Sequence, residues 1–235
     1  MESPLHRRLA GEFFGTFCLV FAGTGAIVVN DLSGGAVTHV GVALTFGLVV
    51  FAMIAAVGDV SGAHLNPAVT LGFYVARRLP GRDVLPYSLS QLGGALAASG
   101  SLRLLFPTHE GLGGTLPAGA VSQSLVLEVL LTAFLMFVIL SVTHGAKERG
   151  ITAGIAIGGV IALEALFAGP ISGASMNPAR SLAPALVSGN LHAVWAYIVG
   201  PVLGAGLAVV ACRYIRGPRC CGVGPLPLAE DGSSC

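Results

Sequence analysis

Apolar residues run along this chain in long blocks, with polar positions gathered into short breaks between them. Blocks near 9–29, 39–58, 84–106, 122–143, 151–168 and 191–214 each reach the roughly 20 residues that a helix needs to cross a hydrocarbon core of about 30 Å. Two further apolar runs are too short to cross. Pro67 to Ala76 stops at Arg77 and Arg78, and Pro178 to Val187 stops at Ser188-Gly189-Asn190. As helices each would cover about 15 Å, half the core. The pattern predicts an all-α membrane protein of six crossings with two half-helices. Irregular backbone beside a half-helix survives at membrane depth only where protein buries it or where it lines a watery cavity, so the two half-helices are expected to re-enter and meet at mid-membrane.

Both short runs begin with Asn-Pro-Ala, at Asn66-Pro67-Ala68 and Asn177-Pro178-Ala179, in matching frames: Ser61-Gly62-Ala63-His64-Leu65 before the first, Ser172-Gly173-Ala174-Ser175-Met176 before the second. Asn suits a helix N-cap and Pro the first helical position, so each copy reads as the start of a helix with outward-facing N–H groups. Glu12 and Glu128 occupy the first block of each half. The chain is a duplication with three crossings per repeat, about 8–106 and 122–215. An odd number inverts the second repeat, as in many transport proteins. One channel domain over 1–215 and a disordered cytoplasmic tail over 216–235 are expected.

Composition agrees, with 54% hydrophobic and 10% charged residues against roughly 25% charged in soluble domains. Arg7, Arg8, Arg77, Arg78, Arg82, Lys147, Arg149, Arg213, Arg216 and Arg219 all fall on one side if the blocks alternate, which makes that side cytoplasmic, with both termini on it. Arg180, directly after the second Asn-Pro-Ala, breaks this rule and requires a reason of its own. Cys18, Cys212, Cys220, Cys221 and Cys235 lie in a crossing or on the cytoplasmic side, where thiols stay reduced, so no disulfide is expected. The tail thiols Cys220, Cys221 and Cys235 read as incidental. No nucleophile with its base, phosphate-cradling loop or metal-ligand spacing occurs; neither catalysis nor a cofactor, metal or nucleic-acid partner is implied.

Taken together, the paired Asn-Pro-Ala, Arg180, the in-span glutamates and the inverted repeat resemble the aquaporin and aquaglyceroporin family over about residues 8–215. The resemblance implies a channel in the plasma membrane, passing water and small uncharged solutes and assembled as a homotetramer with one pore per subunit. It implies that the half-helix N-termini repel cations and protons at the pore centre, and that Asn66 and Asn177 donate to a passing oxygen. It makes Arg180, Phe46, Ala165 and Ala174 the walls of a selectivity filter. Glu12, Glu128 and His64 become braces of the re-entrant loops.

Strict water channels carry a histidine at the position of Ala165; with two methyl-sized walls, the gap here is expected to be wider and more apolar. The run Leu166 to Asn177 and the pair Tyr197-Ile198 are similar to the plant nodulin-type proteins and their bacterial relatives, which implies glycerol, urea and neutral metalloid hydroxides as solutes. Ser181 and Ala185 depart from the glycerol-facilitator pattern. Asp59 and Glu164 fit no part of the resemblance and their roles stay open; for Glu164 one hypothesis is a place in the vestibule, paired with Arg180. The alternatives are a strict water channel, a proton-coupled secondary transporter using Glu12 or Glu128, and a structural protein with a closed pore.

Overall fold

The computed structural model describes residues 3–143 and 151–220. Its helices are α1 (Leu5–Leu32), α2 (Thr38–Ser61), α3 (Pro67–Val75), α4 (Gly81–Leu105), α5 (Val121–Val142), α6 (Ile151–Ser172), α7 (Pro178–Ser188) and α8 (Ala196–Arg216). The sixth apolar block therefore begins later than its sequence suggested, at Ala196, and the fifth runs on to Ser172. Lys147, Arg149, Cys221 and Cys235 lie outside the described residues.

Among the described residues five helices, α1, α2, α5, α6 and α8, are long and apolar enough to cross a membrane. The sixth crossing is α4, which at 25 residues has the length but carries Asp83, Gln91 and Arg103. Its place follows from the duplication: α1 packs on α4 as α5 packs on α8, and α2 packs on α6 between the two halves. The backbones approach equally closely in both pairs. A Cβ on Gly94 would stand 2.2 Å from the Phe13 carbonyl oxygen, and one on Gly204 would stand 2.4 Å from that of Val129. Gly47 and Gly158 likewise let α2 and α6 touch, each Cβ position being 2.5 Å from the other's carbonyl oxygen. Small residues thus serve packing within the monomer, where bilayer lipids give no hydrophobic drive for helices to associate. Phe14, Leu48, Leu85, Leu104, Phe167 and Val210 stand exposed on the outer surface, as a lipid-facing surface requires.

Both half-helices form for the reason their sequence gives. Asn66 and Asn177 are extended N-caps whose side chains accept from the N–H of Ala68 and of Ala179, and Pro67 and Pro178 occupy the first helical position. At the far end α3 turns off through Arg77 at φ +58°, and α7 through Gly189 at φ +81°. Pro170, inside α6, cannot donate to the carbonyl four residues back. His39 Nε2 supplies that Leu166 oxygen instead, at 2.7 Å.

The start of α1 and the end of α8 share one face. Arg8 pairs with Asp83 at the start of α4 at 3.0 Å, and Arg213 donates to the Val75 carbonyl at the end of α3 at 2.9 Å. Two expectations fail here. Gly217, at φ +61°, folds a single 3-10 turn (Gly217–Cys220) back over α8, so residues 217–220 take regular structure where disorder was expected. That turn brings Cys220, fully buried, against Cys212, their Cα atoms 5.6 Å apart, and the two form a disulfide that the sequence reading excluded.

Gly94→Val and Gly204→Val are each expected to abolish a stable, monodisperse detergent-solubilised protein, since the new side chain meets backbone that cannot yield and overpacking costs about 1–3 kcal/mol even where neighbours give way. Gly206→Ala, with open space around it, should leave the thermal unfolding midpoint within error of the parent.

Candidate functional site

A cavity of about 600 Å³ runs through the centre of the helices, from Asp59, Arg78 and Thr143 near the face that holds the start of α1 and the end of α8 to Phe46, Ala165, Ala174 and Arg180 toward the other. Both Asn-Pro-Ala loops line its middle, while Val50, Ile54, Leu135, Ile139, Ile157 and Ile161 give it apolar walls. The backbone of the loops is unusual. Gly62, Ala63 and Leu65 adopt φ of 87°, 45° and 53°, and Gly173, Ala174 and Met176 repeat the series at 84°, 41° and 54°. A left-handed residue with a Cβ costs on the order of 1–2 kcal/mol, so something must hold four of them.

Two buried carboxylates do so. Glu12 accepts from the N–H of His64 at 2.9 Å and of Leu65 at 2.7 Å; Glu128 accepts from the N–H of Ser175 at 2.9 Å and of Met176 at 2.7 Å. The hydroxyls of Ser61 and Ser172 take the N–H of Ala63 and Ala174 at 3.0 and 3.1 Å. The loop donors are thereby consumed, and what the loops offer the cavity is mainly carbonyl oxygen. The asparagines tie the two halves together. Asn66 Nδ2 donates to the Met176 carbonyl at 2.7 Å, and Asn177 Nδ2 to the Leu65 carbonyl at 2.9 Å. One of the two amide hydrogens on each is thus committed across the repeat, and one remains for the cavity.

The halves differ around this shared frame. In the first, Gln91 Nε2 donates to Glu12 at 2.7 Å and to Thr70 at 2.9 Å, and His64, stacked on Phe73, meets Thr70 at 3.2 Å. In the second, Pro201 stands where the repeat would place Gln91, so hydroxyls take over: Ser172 donates to Glu128 at 2.8 Å, and Ser175 and Thr115 both bond to Ser181. Gln91 and Thr115 escaped the sequence reading. A lone amide in an apolar block was the available signal for the first; nothing in the sequence marked the second.

Arg180 is buried, 2% exposed, at the first turn of α7. Its Nη1 donates to the Gly113 carbonyl at 3.0 Å, and its guanidinium lies 5.0 Å from the centre of the Phe46 ring. Phe46 fits only because Gly23 has no side chain; a Cβ there would stand 2.2 Å from the ring. Gly113 escaped the sequence reading because it acts through its backbone. The expected pairing of Arg180 with Glu164 is absent. Glu164 lies on a different face of α6 from cavity-lining Ala165, is fully buried, and receives no hydrogen bond on either carboxylate oxygen among the described residues. Asp59 is exposed and lines the cavity mouth.

The profile of the major intrinsic protein family matches residues 1–212 of the chain. Aquaporin NIP1-1 of Oryza sativa subsp. japonica is 51% identical, the match covering 91% of this chain and 75% of that one. Nodulin-26 of Glycine max is 45% identical over 86% of this chain and 75% of its own length. Among solved structures, the aquaglyceroporin from Plasmodium falciparum is similar with a TM-score of 0.80 and 26% identity, covering 90% of this chain and 95% of that one.

Because Glu164 has no hydrogen-bond partner among the described residues, Glu164→Met should raise the thermal unfolding midpoint of the purified protein by several degrees, since a buried polar group without a compensating hydrogen bond costs about 1–3 kcal/mol that an apolar side chain of similar volume does not. Glu12→Met and Glu128→Met should do the opposite and lower it, each leaving two buried N–H groups unmatched at about 1–3 kcal/mol apiece.

Proposed function

The chain belongs to the major intrinsic protein family, and on that premise we propose that it is a wide-filter member, passing glycerol, urea and neutral metalloid hydroxides as well as water. Its relatives are aquaporins, and like them it is a membrane channel for water and small neutral solutes rather than an enzyme. The observation that carries the wider reading is the pairing of Arg180 over Phe46 with walls that are only methyl groups, Ala165 and Ala174, beside one continuous cavity.

A polyol is a chain of alternating hydroxyl and methylene groups. Carbonyls of the Gly62–Leu65 and Gly173–Met176 loops can accept its hydroxyls while Ile157, Ile161 and Ile139 meet its carbons, so little hydration is lost without replacement. Arg180 supplies donors in a fixed fork and a fixed positive charge that repels cations. The free hydrogens on Asn66 and Asn177 orient a passing oxygen, and the N-termini of α3 and α7, meeting at the cavity centre, add partial positive charge against protons.

Glu12 and Glu128 are braces in this reading, not proton carriers: every oxygen of both already accepts a hydrogen bond. Cytoplasmic placement of both termini accords with the distribution of basic residues, and residence in the plasma membrane is part of the same proposal. Assembly as a homotetramer accords with the family.

Reconstituted in liposomes, the protein should give fast water and fast glycerol flux, both indifferent to an imposed proton gradient, measured by light scattering under sucrose and glycerol shocks. Ala165→His should lower glycerol permeability by about tenfold or more while keeping most of the water permeability, the sort of discrimination a pocket gains by filling a methyl-sized space. Fast water without glycerol in the parent would refute the wide filter.

A further inference from the structure

Arg180 is held from beyond the membrane core by a connected line of hydrogen bonds. Its anchor, the Gly113 carbonyl, belongs to a turn in which Leu112 and Gly113 are both left-handed, at φ 48° and 66°. Leucine is disfavoured there, and glycine is required at 113 because a Cβ would stand 2.6 Å from the Thr24 carbonyl oxygen. Leu112 is kept in place by its N–H, which donates to His109 Nδ1 at 3.0 Å. His109 Nε2 in turn meets Asp31 Oδ2, at the end of α1, at 3.2 Å.

A backbone N–H can only donate, so Nδ1 of His109 must accept, and the ring proton must sit on Nε2 and point at Asp31. The arrangement suits neutral imidazole. A second proton on Nδ1 would set N–H against N–H and remove the acceptor that holds Leu112. Other charged groups surround the ring. Asp31, half exposed, lies at its Nε2; Arg103 of α4 reaches the same turn, donating to the carbonyls of Pro107 at 3.1 Å, His109 at 2.8 Å and Glu110 at 3.5 Å. The Glu110 side chain is at an exposed position, and from α7 the neighbour of the turn is uncharged Pro184.

We propose that His109 is a positioning residue for Arg180, and that a proton taken up from the face opposite the start of α1 and the end of α8 frees the Leu112–Gly113 turn and so changes which solutes pass. This rests on Arg180 belonging to the filter and on that face being outside the cell. The imidazole is partly open to solvent there, its side chain 12% exposed, so the proton has a route that does not pass through the pore. The switch acts on selectivity, because the cavity beyond Arg180 and the loop braces at Glu12 and Glu128 share no bond with His109.

The test is the ratio of glycerol to water permeability in cells expressing the full chain, with external pH lowered from about 7.5 to about 5, through the range in which histidine side chains titrate, and internal pH buffered. The ratio should change by about fivefold or more in the parent, the usual lower size of a coupling between two sites. His109→Asn should keep the neutral-pH ratio at every external pH, since an amide oxygen can accept from Leu112 but gains no proton. A parent ratio that ignores external pH, a His109→Asn variant that tracks the parent, or a response to internal pH alone would each overturn the inference. Absence of glycerol flux at neutral pH would instead sink the wide-filter reading beneath it.

Discussion

Everything at the centre of this molecule depends on giving backbone N–H groups an acceptor where water is scarce and lipid offers none. A helix satisfies its own backbone; a loop at mid-membrane does not. Glu12 and Glu128 resolve this by reaching from the first helix of each half to two successive N–H groups apiece, and the serines and asparagines of each loop take the next ones. Once those donors are matched, backbone that would otherwise be strained is fixed, and the carbonyls left over become the polar side of the cavity. The same bonds that stabilise the loops therefore decide what chemistry they present.

The repeats share this frame and diverge around it. The first half leans on an amide and an imidazole, Gln91 and His64, whereas the second, with Pro201 in the amide's place, uses a chain of hydroxyls through Ser172, Ser175, Ser181 and Thr115. The divergence lies in one loop residue of each half, His64 or Ser175, and in the layer behind the loops. Asn66 and Asn177, which bond across the repeat axis, both cap their own helix by accepting from the N–H two residues on, Asn177 taking that of Arg180 as well. Glu164 lies outside the symmetry altogether, at a position where the first repeat has Met53.

Much of this was legible in the chain because membrane helices leave a coarse signature: block length, the short runs after each Asn-Pro-Ala, and the repeat itself gave the elements with errors of a few residues at most ends. Residues that line the cavity could be chosen by motif, and the structure brings Phe46, Ala165, Ala174 and Arg180 to one cavity. What stayed hidden acts through backbone or through emptiness. Gly113 contributes a carbonyl, Gly23 contributes the space that Phe46 fills, and neither carries a side-chain signal. The disulfide at Cys212 was excluded by an argument about compartment, while it follows from a local turn at Gly217 that no periodicity reveals. The pairing assigned to Glu164 failed because adjacency in sequence to Ala165 puts it on a different side of α6.

The crossed bonds between Asn66 and the Met176 carbonyl, and between Asn177 and the Leu65 carbonyl, carry a consequence for how the protein comes into being. A ribosome delivers the first repeat well before the second. During that interval the Leu65 carbonyl and the Asn66 amide have no partner of their own, so the first loop is an unfinished object until its counterpart has been threaded into the bilayer. Maturation is thus an event of both halves: the second re-entrant loop, on entering, is also what lets the first one settle.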